Sequence, residues 1–161
     1  MHKRVWWLSG ECVVAVLGIL GGIAVIQHHK HSATVSVPSA LAVAQISAPF
    51  PLYYARSGST QTFQFEPDSI SATNQVVLYS YRYDQGKTLA VSVQPIGNLN
   101  VDQFNPTSDF TTTVGHAYIV DIASRTTAAV VGSKSWALIN APDKISVSEL
   151  TQFINSLRTV P

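Results

Sequence analysis

The stretch Gln75-Val76-Val77-Leu78-Tyr79-Ser80-Tyr81-Arg82-Tyr83-Asp84-Gln85-Gly86-Lys87-Thr88-Leu89-Ala90-Val91-Ser92-Val93-Gln94-Pro95-Ile96 decides how this chain folds. Residues 75–83 alternate, with Val77, Tyr79, Tyr81 and Tyr83 on one side and Leu78, Ser80 and Arg82 on the other. Residues 87–96 answer with Leu89, Val91 and Val93 against Ala90, Ser92 and Gln94. A period of two places alternate side chains on opposite faces of a strand. Asp84-Gln85-Gly86 is a three-residue connection with glycine where a left-handed backbone is needed. The stretch therefore predicts a β-hairpin with one face built for a core.

Working outward, the spacing predicts a short strand over 62–65 and further strands over 112–122, 126–131 and 135–140. Residues 98–108 are turn-rich, with one helical turn over 101–104. Ser39 is placed to cap a brief helix over 40–45, and Pro49-Phe50-Pro51 forces extended backbone after it. The chain closes on Ser146-x-x-Glu149, a capping-box pattern, followed by Leu150, Phe153, Ile154 and Leu157 on one helical face. Such a helix has to cover one face of the sheet. The expected fold class is α+β: an antiparallel sheet of five or six strands covered by a C-terminal amphipathic helix.

At the other end, Lys3 and Arg4 precede an apolar run over residues 5–26, broken only by Ser9, Glu11 and several glycines. As a helix these 22 residues span about 33 Å, enough for a hydrocarbon core of roughly 30 Å. Trp6 and Trp7 stand where an interfacial aromatic belt would. The expected organisation is a cytoplasmic N-terminus over 1–4, a transmembrane helix over 5–26, a tether over 27–38 and an extracytoplasmic domain over 39–161. The positive-inside bias sets the orientation, since only Lys30 and the largely neutral His28, His29 and His31 follow the run. A cleaved signal peptide would have a shorter apolar region with a small-x-small site close behind it, where His28-His29-Lys30-His31 stands instead. A secreted product after cleavage is thus the weaker alternative. An acylated Cys12 fits less well, because it lies inside the run and follows Glu11.

From Ala33 onward seven Lys or Arg face eight Asp or Glu, which leaves no basic field for nucleic acid. Cys12 is the only cysteine, so the outer domain is expected to stand without a disulfide. The absence of an Asn-x-Ser/Thr acceptor agrees with a bacterial cell membrane as its location.

The segments Phe50-Pro51-Leu52-Tyr53-Tyr54, Tyr79-Ser80-Tyr81, Val93-Gln94-Pro95, Val114-Gly115-His116-Ala117-Tyr118-Ile119 and Trp136-Ala137-Leu138-Ile139, with the Ser-x-x-Glu-Leu helix, resemble small anchored proteins from Patescibacteria of Saccharibacteria-like lineages. The second half is also similar to extracytoplasmic domains of unknown function in bacterial lipoproteins and behind anti-sigma-factor anchors. The resemblance spans residues 45–160 and rests on structural patterns. It implies a surface-exposed binding, sensing or envelope role and carries no catalytic residue with it.

No Gly-x-Ser-x-Gly, His-Glu-x-x-His, Cys-x-x-Cys, Gly-x-Gly-x-x-Gly or phosphate-loop pattern occurs. The expectation is a non-enzymatic protein without a cofactor. Asp121 lies five residues after His116, on the opposite face of a strand, so the two form no dyad. Pairing with Asp109 or Asp102 would bring His116 a carboxylate, although a strand histidine bonded to its neighbours is the plainer reading. His28, His29 and His31 are weak metal-ligand candidates, three imidazoles without a fourth ligand. Tyr79, Tyr81 and Tyr83, with Trp136 nearby, form a possible ligand platform, against which stands ordinary packing beneath the closing helix.

Inside the apolar run Glu11 is costly, about 2–3.5 kcal/mol at a bilayer's centre, and is placed to reach Arg4 or another protein's helix. Gly18-x-x-x-Gly22 would let a second transmembrane helix, or a second copy, approach closely. Glu11 before an apolar helix also looks somewhat like the start of a type IV pilin or pseudopilin. Trp6 stands there where a processing peptidase needs glycine, and residues 28–38 read as extended. The reading that remains is a single-pass anchored domain that binds, senses or supports the envelope.

Overall fold

The hairpin forms as its alternation demands. A computed structural model of the chain describes residues 36–56, 63–83, 86–97, 99, 101–122 and 124–161. In it β3 (Val77–Tyr83) pairs antiparallel with β4 (Lys87–Pro95) from Tyr83↔Lys87 to Val77↔Val93. Gly86 takes φ 91°, the left-handed backbone required of it. Val77, Tyr79, Tyr81, Tyr83, Leu89, Val91 and Val93 are all buried.

Around this hairpin the sheet has seven strands rather than five or six. They are β2 (Gln64–Ala72), β3, β4, β5 (Ser108–Thr111), β6 (His116–Ile122), β7 (Arg125–Val131) and β8 (Ser135–Ala141), in the order β2-β3-β4-β8-β7-β6-β5, every pair antiparallel. A separate two-stranded ribbon joins β1 (Tyr53–Ala55) to β9 (Leu157–Thr159). Among the described residues two α-helices, α1 (Ser39–Ser47) and α2 (Val147–Ser156), and the expected single helical turn, a 3-10 turn over Val101–Phe104, accompany the strands.

The expected strand over 112–122 is instead the turn and second strand of a hairpin. Thr112 N–H and Oγ1 both donate to Gly115 O, and Thr112 Oγ1 accepts from the N–H groups of Val114 and Gly115. This side-chain network competes with the ladder and closes a turn. Gly115 sits at φ 151°, and a Cβ there would lie 2.1 Å from Val131 O, so only glycine fits. The strand expected over 62–65 is longer, because three extra residues of β2 bulge out between Glu66↔Ser80 and Ser71↔Leu78.

α2 follows its capping box. Ser146 Oγ accepts from Glu149 N–H, and the Glu149 carboxylate accepts from Ser146 N–H. Its serine hydrogen bonds, first from the hydroxyl and then from the backbone, hold the Glu149 carboxyl below its usual range. Leu150, Phe153 and Ile154 are buried as expected, whereas Leu157 caps the helix and opens β9, still buried. α1 departs from expectation at its start: Pro38 is the N-cap, without a side-chain bond, and Ser39 is the first helical residue.

The core lies on the inner face of the sheet. Phe153 of α2 meets Tyr81 edge-on at 5.2 Å and Phe63 at 4.9 Å. Each such ring contributes about 1.5–3 kcal/mol through apolar burial. The tyrosines add a second service. β9 uses one edge of β1, and on the other edge Tyr79 Oη donates to Tyr53 O (2.6 Å) while Tyr81 Oη accepts from Ala55 N–H (2.9 Å). Two phenol groups thus replace a missing strand. Ser135, fully buried, donates to Pro51 O (2.7 Å) and lies 2.8 Å from Tyr53 Oη, holding the start of the ribbon.

The apolar run over 5–26, the tether over 27–38 up to residue 35, and with them Glu11, Gly18, Gly22, His28, His29 and His31, lie outside the described residues. Among the described residues no helix is long and apolar enough to cross a membrane.

Candidate functional site

The proposed platform of Tyr79, Tyr81, Tyr83 and Trp136 does not assemble. The three tyrosines are 3, 1 and 5% exposed, on the face beneath α2 and the ribbon. Burial pushes the hydroxyls of Tyr79 and Tyr81 well above the ordinary phenol range. Trp136 alternates with buried Ser135 and Ala137 and therefore points to the opposite face.

That outer face is legible as rows from the strand registers. One row runs Gln94, Trp136, Val131, His116, Thr111, and the next runs Ser92, Leu138, Ala129, Tyr118, Asp109. Neighbours within a row lie about 5 Å apart between Cβ atoms. Trp136 and His116, two strands apart, are therefore separated by roughly 10 Å.

Part of this face is covered. Ile96 N–H donates to Lys134 O (3.0 Å) beside the start of β8, and Thr107 N–H donates to Ile119 O (2.7 Å) at the middle of β6. Leu99, Val101 and Phe104 are half-buried yet outside the inner cluster, and outward-facing Ala129 has none of its surface exposed. Ala129 is thus covered on this face.

The β5–β6 margin stays accessible, as do Leu78, Arg82 and Ala90 toward the other side of the sheet. His116 Nε2 lies 3.5 Å from Asp109 Oδ1, and its Nδ1 lies 3.5 Å from Thr111 Oγ1. Its ring centroid is 4.7 Å from that of Tyr118, tilted 54°. The His116 and Asp109 side chains keep 40 and 59% of their surface. Both contacts stand at the outer limit of hydrogen-bond reach, so each group retains bonding capacity for a ligand. The cluster offers two ring faces, a carboxylate and a hydroxyl. Asp121, on the inner side as the alternation requires, is held by Lys144 (3.0 Å) and accepts from Thr126. The Asp102 side chain lies outside the described set.

A second polar concavity, about 440 Å³, lies at the β2 bulge among Gln64, Glu66, Asp68, Ser69 and Arg82. Three of its residues, Glu66, Ser69 and Arg82, bond to one another or to Ser80. Glu66 accepts from Ser80 Oγ and from Arg82, which together hold its carboxyl below the usual range, the serine first. Ser69 Oγ donates to Glu66 O and accepts from Ser80 N–H, filling the gap that the bulge leaves in the ladder. Bulging an edge strand in this way protects it from pairing with another chain, which is the structural reading we adopt for it.

Among the described residues no cluster of three or more His, Cys, Asp or Glu is placed to hold a metal ion. Sequence reasoning named His116 and Asp109 but missed Thr111 and Tyr118 as their companions. The Thr112/Gly115 turn was the available signal, since it folds 108–111 back onto 116–119. No protein-family model, curated protein or solved structure matches the chain.

Proposed function

We propose that this chain is a single-pass, membrane-anchored bacterial envelope protein that displays residues 36–161 outside the cell as a binding domain. The apolar run over 5–26 behind Lys3 and Arg4 supports the anchor. Pro38, with ψ 125°, interrupts any helix running from that segment into α1, which favours a tethered domain over a pilin-like continuous helix.

The observation that carries the binding role is the accessible His116–Tyr118 pair, flanked by Asp109 and Thr111 on a sheet whose other face is consumed by its core. Flat rings beside a carboxylate and a hydroxyl suit a neutral ligand with an apolar face and hydroxyl groups, the chemistry of a sugar ring. The test has two parts. Intact mass and protease shaving of whole cells should give a full-length chain clipped from outside. A mass beginning near Glu11 would favour the pilin reading, and loss of residues 5–26 a secreted one. Glycan titration should then move the amide signals of 109–118 in the wild type and leave them still in His116→Ala/Tyr118→Ala. Shifts that persist in the double variant would remove the margin from the binding role.

A further inference from the structure

α1 carries no charge and places apolar side chains on both its buried and its exposed sides, so the domain covers only part of its apolar surface. Leu41 and Ala44 face the core, and Gln45 clips the helix to the ribbon by donating to Phe50 O (3.1 Å) and accepting from Leu52 N–H (2.7 Å). The opposite stripe is Ser39, Ala42, Val43 and Ile46, at the i, i+3, i+4, i+7 spacing of a single helical face. Ile46 is 86% and Val43 66% exposed, against 45 and 47% for Leu78 and Ile96. An apolar stripe on an otherwise folded helix belongs in an environment that covers it.

The chain itself indicates the cover. Twelve residues, 27–38, separate α1 from Ile26, the end of the apolar run. Fully extended, such a tether reaches about 40 Å, and as a flexible coil it averages about 20 Å. The helix is thus held close to any bilayer that the run crosses, and so short a link gives even a weak contact a high effective concentration. Residues 32–55 carry no Asp, Glu, Lys or Arg, so the approach to lipid desolvates no charge.

We propose that the Ala42–Val43–Ile46 stripe of α1 lies against the lipid surface from which the chain emerges and fixes how the domain stands on the membrane. This inference rests on the anchored reading above. Because the stripe has no cation, its contact is with the acyl-headgroup boundary rather than with anionic headgroups. It therefore forms on pure phosphatidylcholine and is insensitive to salt.

The test uses the full chain with Cys12→Ser, reconstituted into phosphatidylcholine nanodiscs. An environment-sensitive fluorophore is attached at Ile46→Cys or, as a control, at Ser133→Cys, an exposed turn residue. The expected result is a blue-shifted emission at position 46, quenched several-fold more by nitroxide lipids than at 133 and unchanged in high salt. Val43→Asp in the Ile46→Cys chain should abolish the shift, and both positions are exposed enough to leave folding intact. A blue shift without lipid quenching would overturn the proposal in favour of a protein partner or a second copy. An unshifted probe on a chain that co-floats with lipid would overturn it while leaving the anchor standing. A chain that fails to co-float would bring down the anchored reading first and this contact with it.

Discussion

β3 and β6 carry the same local pattern and put it to opposite uses. Tyr79 and Tyr81 stand at alternate positions of one strand with ring centroids 6.1 Å apart, and His116 and Tyr118 at alternate positions of the other, 4.7 Å apart. The first pair lies beneath α2, where its hydroxyls complete the backbone bonding of β1. The second faces outward at the sheet margin with polar companions that it does not saturate. Alternation says that a strand has two unlike faces. Coverage, which is a property of the whole fold, decides which aromatic pair becomes core and which remains available.

The contrast predicts a ranked series of effects. Tyr81→Ala should lower stability by about 3–5 kcal/mol, by leaving a cavity against Phe153, whereas His116→Ala should stay within about 0.5 kcal/mol. Denaturant midpoints read both, and comparable losses would break the distinction between the faces. Tyr79→Phe keeps the ring and removes the donor to Tyr53 O, costing about 1–2 kcal/mol for an unpaired buried carbonyl. Hydrogen exchange at Arg56 and Val160, whose N–H groups bond across the ribbon, should accelerate in step. Should the exchange of these amides stay unchanged, the tyrosine hydroxyls are not what holds β1.

Ser146→Ala removes the box that starts the covering helix and should cost about 1 kcal/mol, with the inner-face tyrosines becoming more accessible to quenchers. The smallest effect concerns Glu66 on the outer side. Its folded pKa is depressed by Ser80 and Arg82. The stabilisation it brings is therefore present above the unfolded carboxylate range and is lost as pH falls through the lower folded value. Glu66→Gln should accordingly lower the midpoint slightly at neutral pH and converge with the wild type in acid. A gap that widens in acid would contradict the sign.

Some elements were legible because a local signal matched the final environment. The β3–β4 hairpin had its alternation and Gly86, and α2 had its capping box, so local and global preferences agreed. β1 and β9 carried no such signal: three residues each are too few for a period, and they exist as strands only through one another and the phenol groups of Tyr79 and Tyr81. β5 was hidden because Thr111-Thr112-Thr113 reads as strand by propensity, while a Thr112 side-chain network and Gly115 turn the chain. The bulge at 67–70 concealed most of β2 in the same way. At the site, His116 and Asp109 were visible as residue types, but their meeting depended on the β5–β6 register.

By itself the sequence determined that a strand pair with one core-grade face and a capped amphipathic helix had to meet, because buried apolar periodicity leaves each without a stable state alone. It also determined that residues 32–55 carry no charge. Only the tertiary structure decided that the tyrosine face lies beneath the helix, that Trp136 and His116 share the opposite side, and that α1 leaves Val43 and Ile46 uncovered. Those outcomes depend on which surfaces long-range packing brings together, and residues distant in the chain supply the covering atoms.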